Sequence, residues 1–164
     1  MPVLNAGKAA PPFDLAGMDG KNYSLQEGLA RGPVLAAFFK VSCPTCQYTL
    51  PFLERLYQQL RPQGGQVWGI AQDDASQARH FASEYKITFP ILIDDSPYAI
   101  SRKYELEYVP SVFLIEPDGR VAACSEGFCK ADLLEMQKSL AQSLAASPGP
   151  LFLPKERVPE YKPG

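Results

Sequence analysis

Apolar and polar positions along the chain follow two patterns: short continuous apolar runs, typical of buried strands, and apolar residues at spacings of three and four, typical of amphipathic helices. Residues 34–41 form a nearly continuous apolar run of strand length, which predicts a central strand covered on both faces. Leucines recur at spacings of three and four over residues 50–60, which predicts a helix that includes Pro51. Residues 66–71 predict a second strand, and residues 76–85 predict a second helix. This alternation is typical of an α/β fold.

Shorter elements continue the pattern in the second half of the chain. Residues 91–93 predict a short strand, and residues 97–104 predict a short helix. Two apolar runs, 112–115 and 121–124, flank a Pro-Asp-Gly turn and predict an antiparallel hairpin. Residues 130–144 predict an amphipathic helix that closes the core. A hairpin added to strand-helix units indicates a sandwich with a mixed sheet.

The two ends of the chain differ from this pattern. Residues 1–22 are rich in Pro, Gly and Ala and end in a turn signature, so we expect an irregular lead-in or a short hairpin before a short helix capped by Ser24. Residues 148–164 carry five prolines and no periodicity. We predict a single domain over residues 1–147 and an extended proline-rich tail over residues 148–164. The tail would run over the surface, or into a neighbouring subunit as the contact of a weak homodimer.

Charge and cysteine content narrow the choice of partners and location. Sixteen basic and eighteen acidic side chains leave a formal charge of -2, which provides no general attraction to nucleic acid or to anionic lipid. The first residues show neither a secretory signal nor a membrane anchor, so we predict a cytoplasmic protein, although a trimmed signal would leave the same pattern. Four cysteines in 164 residues are too few for a disulfide scaffold.

Cys43 and Cys46 lie where the predicted central strand leads into the long helix. A sulfur at a helix N-terminus faces unpaired N–H groups and the positive end of the dipole, so we expect the pKa of Cys43 to fall below the value of about 8.5 for free cysteine. Cys46 follows one helical turn later, within bonding reach. Such a pair suits thiol-disulfide exchange, in which Cys43 attacks and Cys46 resolves. Lys40 would lower the pKa of Cys43 further, or it simply points to solvent.

A structural zinc site is the alternative interpretation of a C-x-x-C pair. Cys124 and Cys129 are separated by four residues and the single histidine, His80, lies elsewhere, so a closed tetrahedral site would need an unusual assembly. We predict neither a metal nor an organic cofactor. A second redox couple of Cys124 and Cys129 is a further hypothesis, against the simpler interpretation of a buried strand thiol and a loop residue.

The chain resembles the thioredoxin-like superfamily, and within it the redoxin branch of TlpA-like thiol-disulfide oxidoreductases and relatives of the alkyl hydroperoxide reductase and thiol-specific antioxidant group. The matching segments, over about residues 10–145, are PPFDLAGMDGKNYSL, VLAAFFKVSCPTC, the helix with Pro51, YVPSVFLIEPDGRV and EGF. The resemblance implies a thioredoxin-like sandwich, in which helices flank a central mixed sheet and an extra strand-helix insertion over residues 87–104 precedes the cis-proline strand. It also implies that Val109 and cis Pro110 position the substrate backbone beside the sulfurs.

The implied activity is thiol-disulfide exchange through the CPTC motif, with a protein or small-molecule disulfide as substrate and a dithiol as electron donor. Two departures affect the details. Ala37 stands where thioredoxins keep a buried acid, so resolution would use water or another base, and Ser42 stands where they carry a tryptophan.

Two other functions stay open. A thiol-dependent peroxidase of the peroxiredoxin type is the main alternative, but Lys40 and Ala36 stand where peroxiredoxins carry the threonine and proline that shape the peroxide pocket. The other is a binding or metallochaperone module of the same fold, for which His80 is expected to be a surface residue and not a ligand.

Overall fold

The structure is a computed structural model that describes residues 4–164. The five α-helices of the described residues are α1 (Leu25–Arg31), α2 (Pro44–Leu60), α3 (Ala75–Tyr85), α4 (Ala99–Lys103) and α5 (Lys130–Ser143). The nine strands are β1 (Asp14–Ala16), β2 (Asn22–Ser24), β3 (Val34–Phe39), β4 (Gln66–Ala71), β5 (Ile91–Ile93), β6 (Ser111–Ile115), β7 (Val121–Glu126), β8 (Phe128–Cys129) and β9 (Tyr161–Lys162).

Five strands form a mixed central sheet in the order β5, β4, β3, β6, β7. Strand β3 runs parallel to β4 and antiparallel to β6, and β5 extends the parallel side. Every residue of β3 and β4 is buried, which is why these strands read as apolar runs without alternation. The predicted thioredoxin-like α/β fold is confirmed, and β5 with α4 forms the extra unit before β6.

Helices cover both faces of this sheet and create two apolar clusters. One cluster contains Leu53 of α2, Phe81 of α3 and Met136 of α5 packed on one face. The other contains Leu25 of α1 and Ile100 of α4 on the opposite face. All the buried apolar residues of α2 belong to the first cluster, so α2 packs on that face of the sheet.

Local details match the sequence in most places. β1 and β2 form a short antiparallel hairpin, one of the two expectations for the lead-in, and Ser24 accepts a hydrogen bond from the Glu27 backbone at 3.4 Å as the cap of α1. Helix α2 continues through Pro51. Strand β3 ends at Phe39, two residues before the predicted end, because the chain turns there and the Val41 N–H donates to the Asp73 carboxylate at 2.9 Å.

Residues 148–164, called the tail from here on, pack along α2 and α5 of their own chain. Leu151 is buried, and its carbonyl accepts a hydrogen bond from Arg55 of α2 at 2.8 Å. The Arg55 guanidinium also forms a bidentate pair with Glu156, with N–O distances of 2.8 and 2.7 Å. Further on, the Lys130 N–H donates to the Glu160 carbonyl at 2.9 Å, and β9 pairs with β8. The tail therefore packs on the domain of its own chain.

Loss of the Glu156 charge is expected to destabilise the folded state in a pH-dependent way. Hydrogen bonds from Arg55 lower the pKa of Glu156 from 4.5 to about 2. A depressed pKa stabilises the folded state above pH 4.5, and this contribution disappears as the pH falls from 4.5 towards 2. Urea unfolding of Glu156→Gln should therefore show a lower free energy of unfolding than wild type at pH 7, with the two converging towards pH 2.

The matched control for this prediction is Glu135→Gln, the same change at an exposed position of α5. It should leave the free energy of unfolding within about 0.5 kcal/mol of wild type across the same range. An equal effect of both substitutions would contradict the role of the Arg55–Glu156 pair.

No helix within residues 4–164 combines the length and the apolar character needed to cross a membrane.

Candidate active site

Cys43 occupies the N-cap position of α2, directly after the turn that ends β3. Pro44 follows at the first helical position, where its missing N–H costs nothing. The Cys43 Sγ accepts a hydrogen bond from the Cys46 N–H at 3.2 Å, so the sulfur takes up one of the unpaired helix N–H groups. This is the position that the sequence predicts for a nucleophilic sulfur. Cys43 itself is partly exposed.

Cys46 lies one turn further along α2, beneath Cys43 and fully buried. Burial raises the pKa of the Cys46 thiol, and a hydrogen bond with the Cys43 side chain and the negative charge of Asp73 add to this effect. A backbone hydrogen bond of Lys40 acts in the opposite direction. Both cysteines are free thiols, so the structure represents the reduced dithiol form. The pair thus consists of one accessible sulfur and one buried, protonated sulfur.

Val109 and Pro110 face this pair from the loop before β6. The Val109–Pro110 peptide bond is cis. The Cys43 S–H donates to the Val109 carbonyl oxygen at 3.4 Å, and the Pro110 carbonyl accepts from the Gly127 N–H at 2.9 Å. The structure therefore brings four of the predicted site residues together, namely Cys43, Cys46, Val109 and Pro110.

A cavity of about 500 Å³ opens beside Cys43. Its wall includes Lys40, Gln72, Tyr108 and Val109. This volume lies within the range of small-molecule sites in proteins. Lys40 lines the cavity. Its ammonium group lies 5.3 Å from the centre of the Tyr98 ring, which is a cation–π distance. The effect of Lys40 on the thiol stays a prediction.

Asp73 is a site residue that the sequence reasoning missed. It follows β4, and its carboxylate holds the Val41 N–H just before Cys43. Its charge also acts on Cys46, as described above. The carboxyl ends of adjacent parallel strands meet at the same edge of a sheet, so β3 and β4 together bring Asp73 to the CPTC loop. That topological rule was the signal that could have identified it.

Cys124 and Cys129 lie on β7 and at the start of α5. Cys124 is on β7 and packs against the apolar cluster on the opposite face of the sheet, and burial raises the pKa of its thiol. Cys129 is the N-cap residue of α5, and burial raises its pKa too. Both are free thiols. A second redox couple of Cys124 and Cys129 stays a prediction.

Within residues 4–164, no group of three or more His, Cys, Asp and Glu side chains is arranged to hold a metal ion. His80 lies on the outer side of α3, where it is exposed and 3.8 Å from Glu84.

Comparison with known proteins agrees with this geometry. The model of the AhpC/TSA family matches residues 6–124. The thiol-disulfide oxidoreductase ResA of Bacillus cereus is 29% identical over 119 residues, which cover 72% of this chain and 68% of ResA. The thioredoxin domain of a thiol-disulfide oxidoreductase from Bacteroides vulgatus superposes with a TM-score of 0.74 at 20% identity, covering 84% of this chain and 99% of that domain.

A peroxidase appears among the structural neighbours as well. Peroxidoxin BcpB from Mycobacterium tuberculosis superposes with a TM-score of 0.73 at 18% identity, covering 85% of this chain and 97% of that protein. At this identity the likeness shows the shared fold alone. It does not favour a peroxidase over thiol-disulfide exchange.

The chain belongs to the AhpC/TSA family, in the redoxin branch of the thioredoxin-like superfamily. It is a thiol-disulfide oxidoreductase with an accessible and a buried cysteine one helical turn apart. The predicted resemblance and enzyme class are thereby confirmed, and the peroxidase alternative is the less supported of the two.

Proposed function

We propose that Cys43 and Cys46 reduce substrate disulfides in two exchange steps, with Val109 and Pro110 positioning the substrate. The observation that carries the proposal is the arrangement of the two thiols: Cys43 is accessible at the helix N-terminus beside a cavity, and Cys46 is buried directly behind it. An accessible attacking sulfur and a protected resolving sulfur are what a dithiol exchange reaction requires.

In the first step, the Cys43 thiolate attacks one sulfur of the substrate disulfide. A bond forms between Cys43 and that sulfur, the substrate S–S bond breaks, and the other substrate sulfur leaves as a thiolate that takes up a proton. In the second step, the Cys46 thiol gives its proton to water or another base and attacks the Cys43 sulfur. The bond between Cys43 and the substrate breaks, and the remaining substrate sulfur leaves as a thiolate that takes up a proton from solvent. The cysteines are then oxidised to a disulfide, the substrate is reduced by two electrons, and an external dithiol restores the thiols.

Burial of Cys46 ensures that Cys43 attacks the substrate first and that Cys46 reacts only in the second step. Because its raised pKa keeps Cys46 protonated at neutral pH, it does not compete with Cys43 for the first attack. Deprotonation then limits resolution, so the second step should accelerate as the pH rises. Ala37 of β3 is buried in the same apolar cluster as Cys46, and its methyl group offers no base.

Replacing Cys46 by Ser is expected to stop the reaction after the first step. The serine hydroxyl cannot attack a disulfide, so the substrate should stay bound to Cys43 as a mixed disulfide. Intact-mass spectrometry after incubation with hydroxyethyl disulfide should show one added mercaptoethanol group on most of the protein. The adduct should disappear when dithiothreitol is added.

The double variant Cys43→Ser with Cys46→Ser is the control, and it should form no such adduct at the CPTC site. A Cys46→Ser protein that carries its adduct on Cys124 or Cys129, and none on Cys43, would contradict the assigned roles. Peptide mapping of the labelled protein distinguishes these results.

The partners and the location that the sequence suggests belong to the proposal as well. The disulfide substrate and the dithiol donor are inferred from the exchange chemistry, and a cytoplasmic location and a weak homodimer through the tail are expectations from sequence. Cell fractionation and sedimentation velocity of the purified chain would test the last two.

A further inference from the structure

The end of the tail lies against the loop that carries Val109. We call residues 162–164 the tail tip. A β-carbon added to Gly164 would lie 2.5 Å from the Val109 carbonyl oxygen and 3.2 Å from the Tyr108 β-carbon. The Pro163 carbonyl accepts a hydrogen bond of 2.6 Å from the hydroxyl of Thr45, the residue just before Cys46. The tail tip therefore contacts both the CPTC loop and the loop opposite it.

A third loop closes on the tail tip from the other side. A β-carbon added to Gly127 would lie 2.5 Å from the Lys162 carbonyl oxygen and 3.0 Å from the Gly164 nitrogen. Gly127 also donates its N–H to the Pro110 carbonyl, so this loop and the Val109 loop are joined. The tail tip fills the space between them, next to the accessible sulfur.

This position matters for the way a substrate approaches Cys43. The Cys43 sulfur is 3.4 Å from the Val109 carbonyl, so a polypeptide disulfide attacked by Cys43 must lie alongside Val109. An extended segment that pairs with exposed backbone needs free space beside that backbone. Gly164 takes up this space. Gly164 also lines the cavity beside Cys43, and the remaining space of this cavity, towards Lys40 and Gln72, is large enough for a small molecule.

We propose that the tail tip determines the substrate class of this enzyme, a proposal that rests on the exchange function given above. With the tip docked, small disulfides reach Cys43 through the cavity, and polypeptide disulfides bind only when the tip has moved away. The apparent affinity for a polypeptide is then reduced by the fraction of molecules whose tip is displaced.

The contacts of the tail permit this movement without unfolding. Its upstream part is held by buried Leu151 and by the bidentate Arg55–Glu156 pair. The last residues are held by the pairing of Lys162 with Phe128 and by the hydrogen bond from Thr45 to the Pro163 carbonyl. Tyr161 is 56% exposed, and the Lys162 ammonium lies 4.9 Å from the centre of the Tyr48 ring. The proposed movement breaks these contacts of the tip and leaves the upstream anchor in place.

Gly164→Val in the full chain tests the proposal. The new β-carbon meets backbone atoms of the Val109 loop, which cannot give way as a flexible side chain would, so the tip is pushed out. The quantity to measure is kcat/KM for insulin and for hydroxyethyl disulfide, with dithiothreitol as donor. We expect the ratio of insulin to hydroxyethyl disulfide to rise about fivefold or more. Hydrogen exchange of the peptide containing residues 161–164 should become faster.

Gly149→Val is the matched control in the same tail, since a β-carbon there has only one neighbour, the Gln59 side-chain nitrogen at 3.8 Å. It should leave the ratio and the exchange rate unchanged. An unchanged ratio in Gly164→Val overturns the proposal. If exchange of the tip is faster, the tip does not limit access of insulin; if exchange is unchanged, the valine fits and Gly164 does not fill the space beside Val109. A wild-type protein that reduces neither disulfide would instead contradict the exchange function itself.

Discussion

Cys43→Ser should lower kcat/KM for disulfide reduction by about a thousandfold or more, to the level of the uncatalysed exchange with dithiothreitol. The reason is chemical, because a thiolate is the nucleophile in exchange and a serine hydroxyl stays protonated at neutral pH. The fold should be kept, since Cys43 is partly exposed and hydroxyl oxygen is a good N-cap acceptor for the Cys46 N–H. The measurement is turnover of hydroxyethyl disulfide, with circular dichroism to check folding.

Cys129→Ser is the control for that experiment. Cys129 is the N-cap residue of α5 and is not part of the CPTC motif, so its loss should leave turnover within about twofold of wild type. More than about a tenth of wild-type activity in Cys43→Ser would contradict its role as the nucleophile. A large loss in Cys129→Ser would instead support the second redox couple predicted from the sequence.

Phe128→Ala is expected to cost about 3–5 kcal/mol of folding free energy, the usual range for truncating a buried phenylalanine. Phe128 is fully buried on β8, and its ring centre lies 5.1 Å from that of Tyr48 and 5.9 Å from that of Phe52. It also packs against Phe152 of the tail at 5.8 Å. The cavity left by the ring would therefore loosen α2 and the tail together, and urea unfolding would measure the loss.

Tyr161→Ala provides a comparison on the strand that pairs with β8. Tyr161 is 56% exposed, so the same truncation removes little buried surface and should cost under about 1 kcal/mol. Equal losses in the two variants would show that the aromatic cluster around Phe128 does not hold the tail to the domain.

The parts of the fold that the sequence predicted correctly are those with strong local signals. The apolar run that became β3, and the helix spacing that became α2, are each decided within a single segment of chain. The position of Cys43 at a helix N-terminus follows from the boundary between these two segments and needs no contact between distant parts of the chain. The different burial of Cys43 and Cys46 was not predicted, because it depends on the face of α2 that packs into the apolar cluster.

Contacts between distant segments could not be predicted in this way. Arg55 and Glu156 are 101 positions apart, and nothing in the tail sequence indicates that its prolines lead the chain back along α2. Asp73 is nearer in sequence to Cys43, but its approach depends on the parallel pairing of β3 and β4. The facing position of Pro110 came from family resemblance, since an X-Pro bond is trans in most cases without such information.

The docking of Gly164 beside Val109 has a practical consequence for anyone who prepares this enzyme. A label or purification handle placed near Gly164 would lie at the opening of the catalytic cavity and would alter access to Cys43. Labels for fluorescence or immobilisation are therefore better attached to exposed side chains of α3, such as His80.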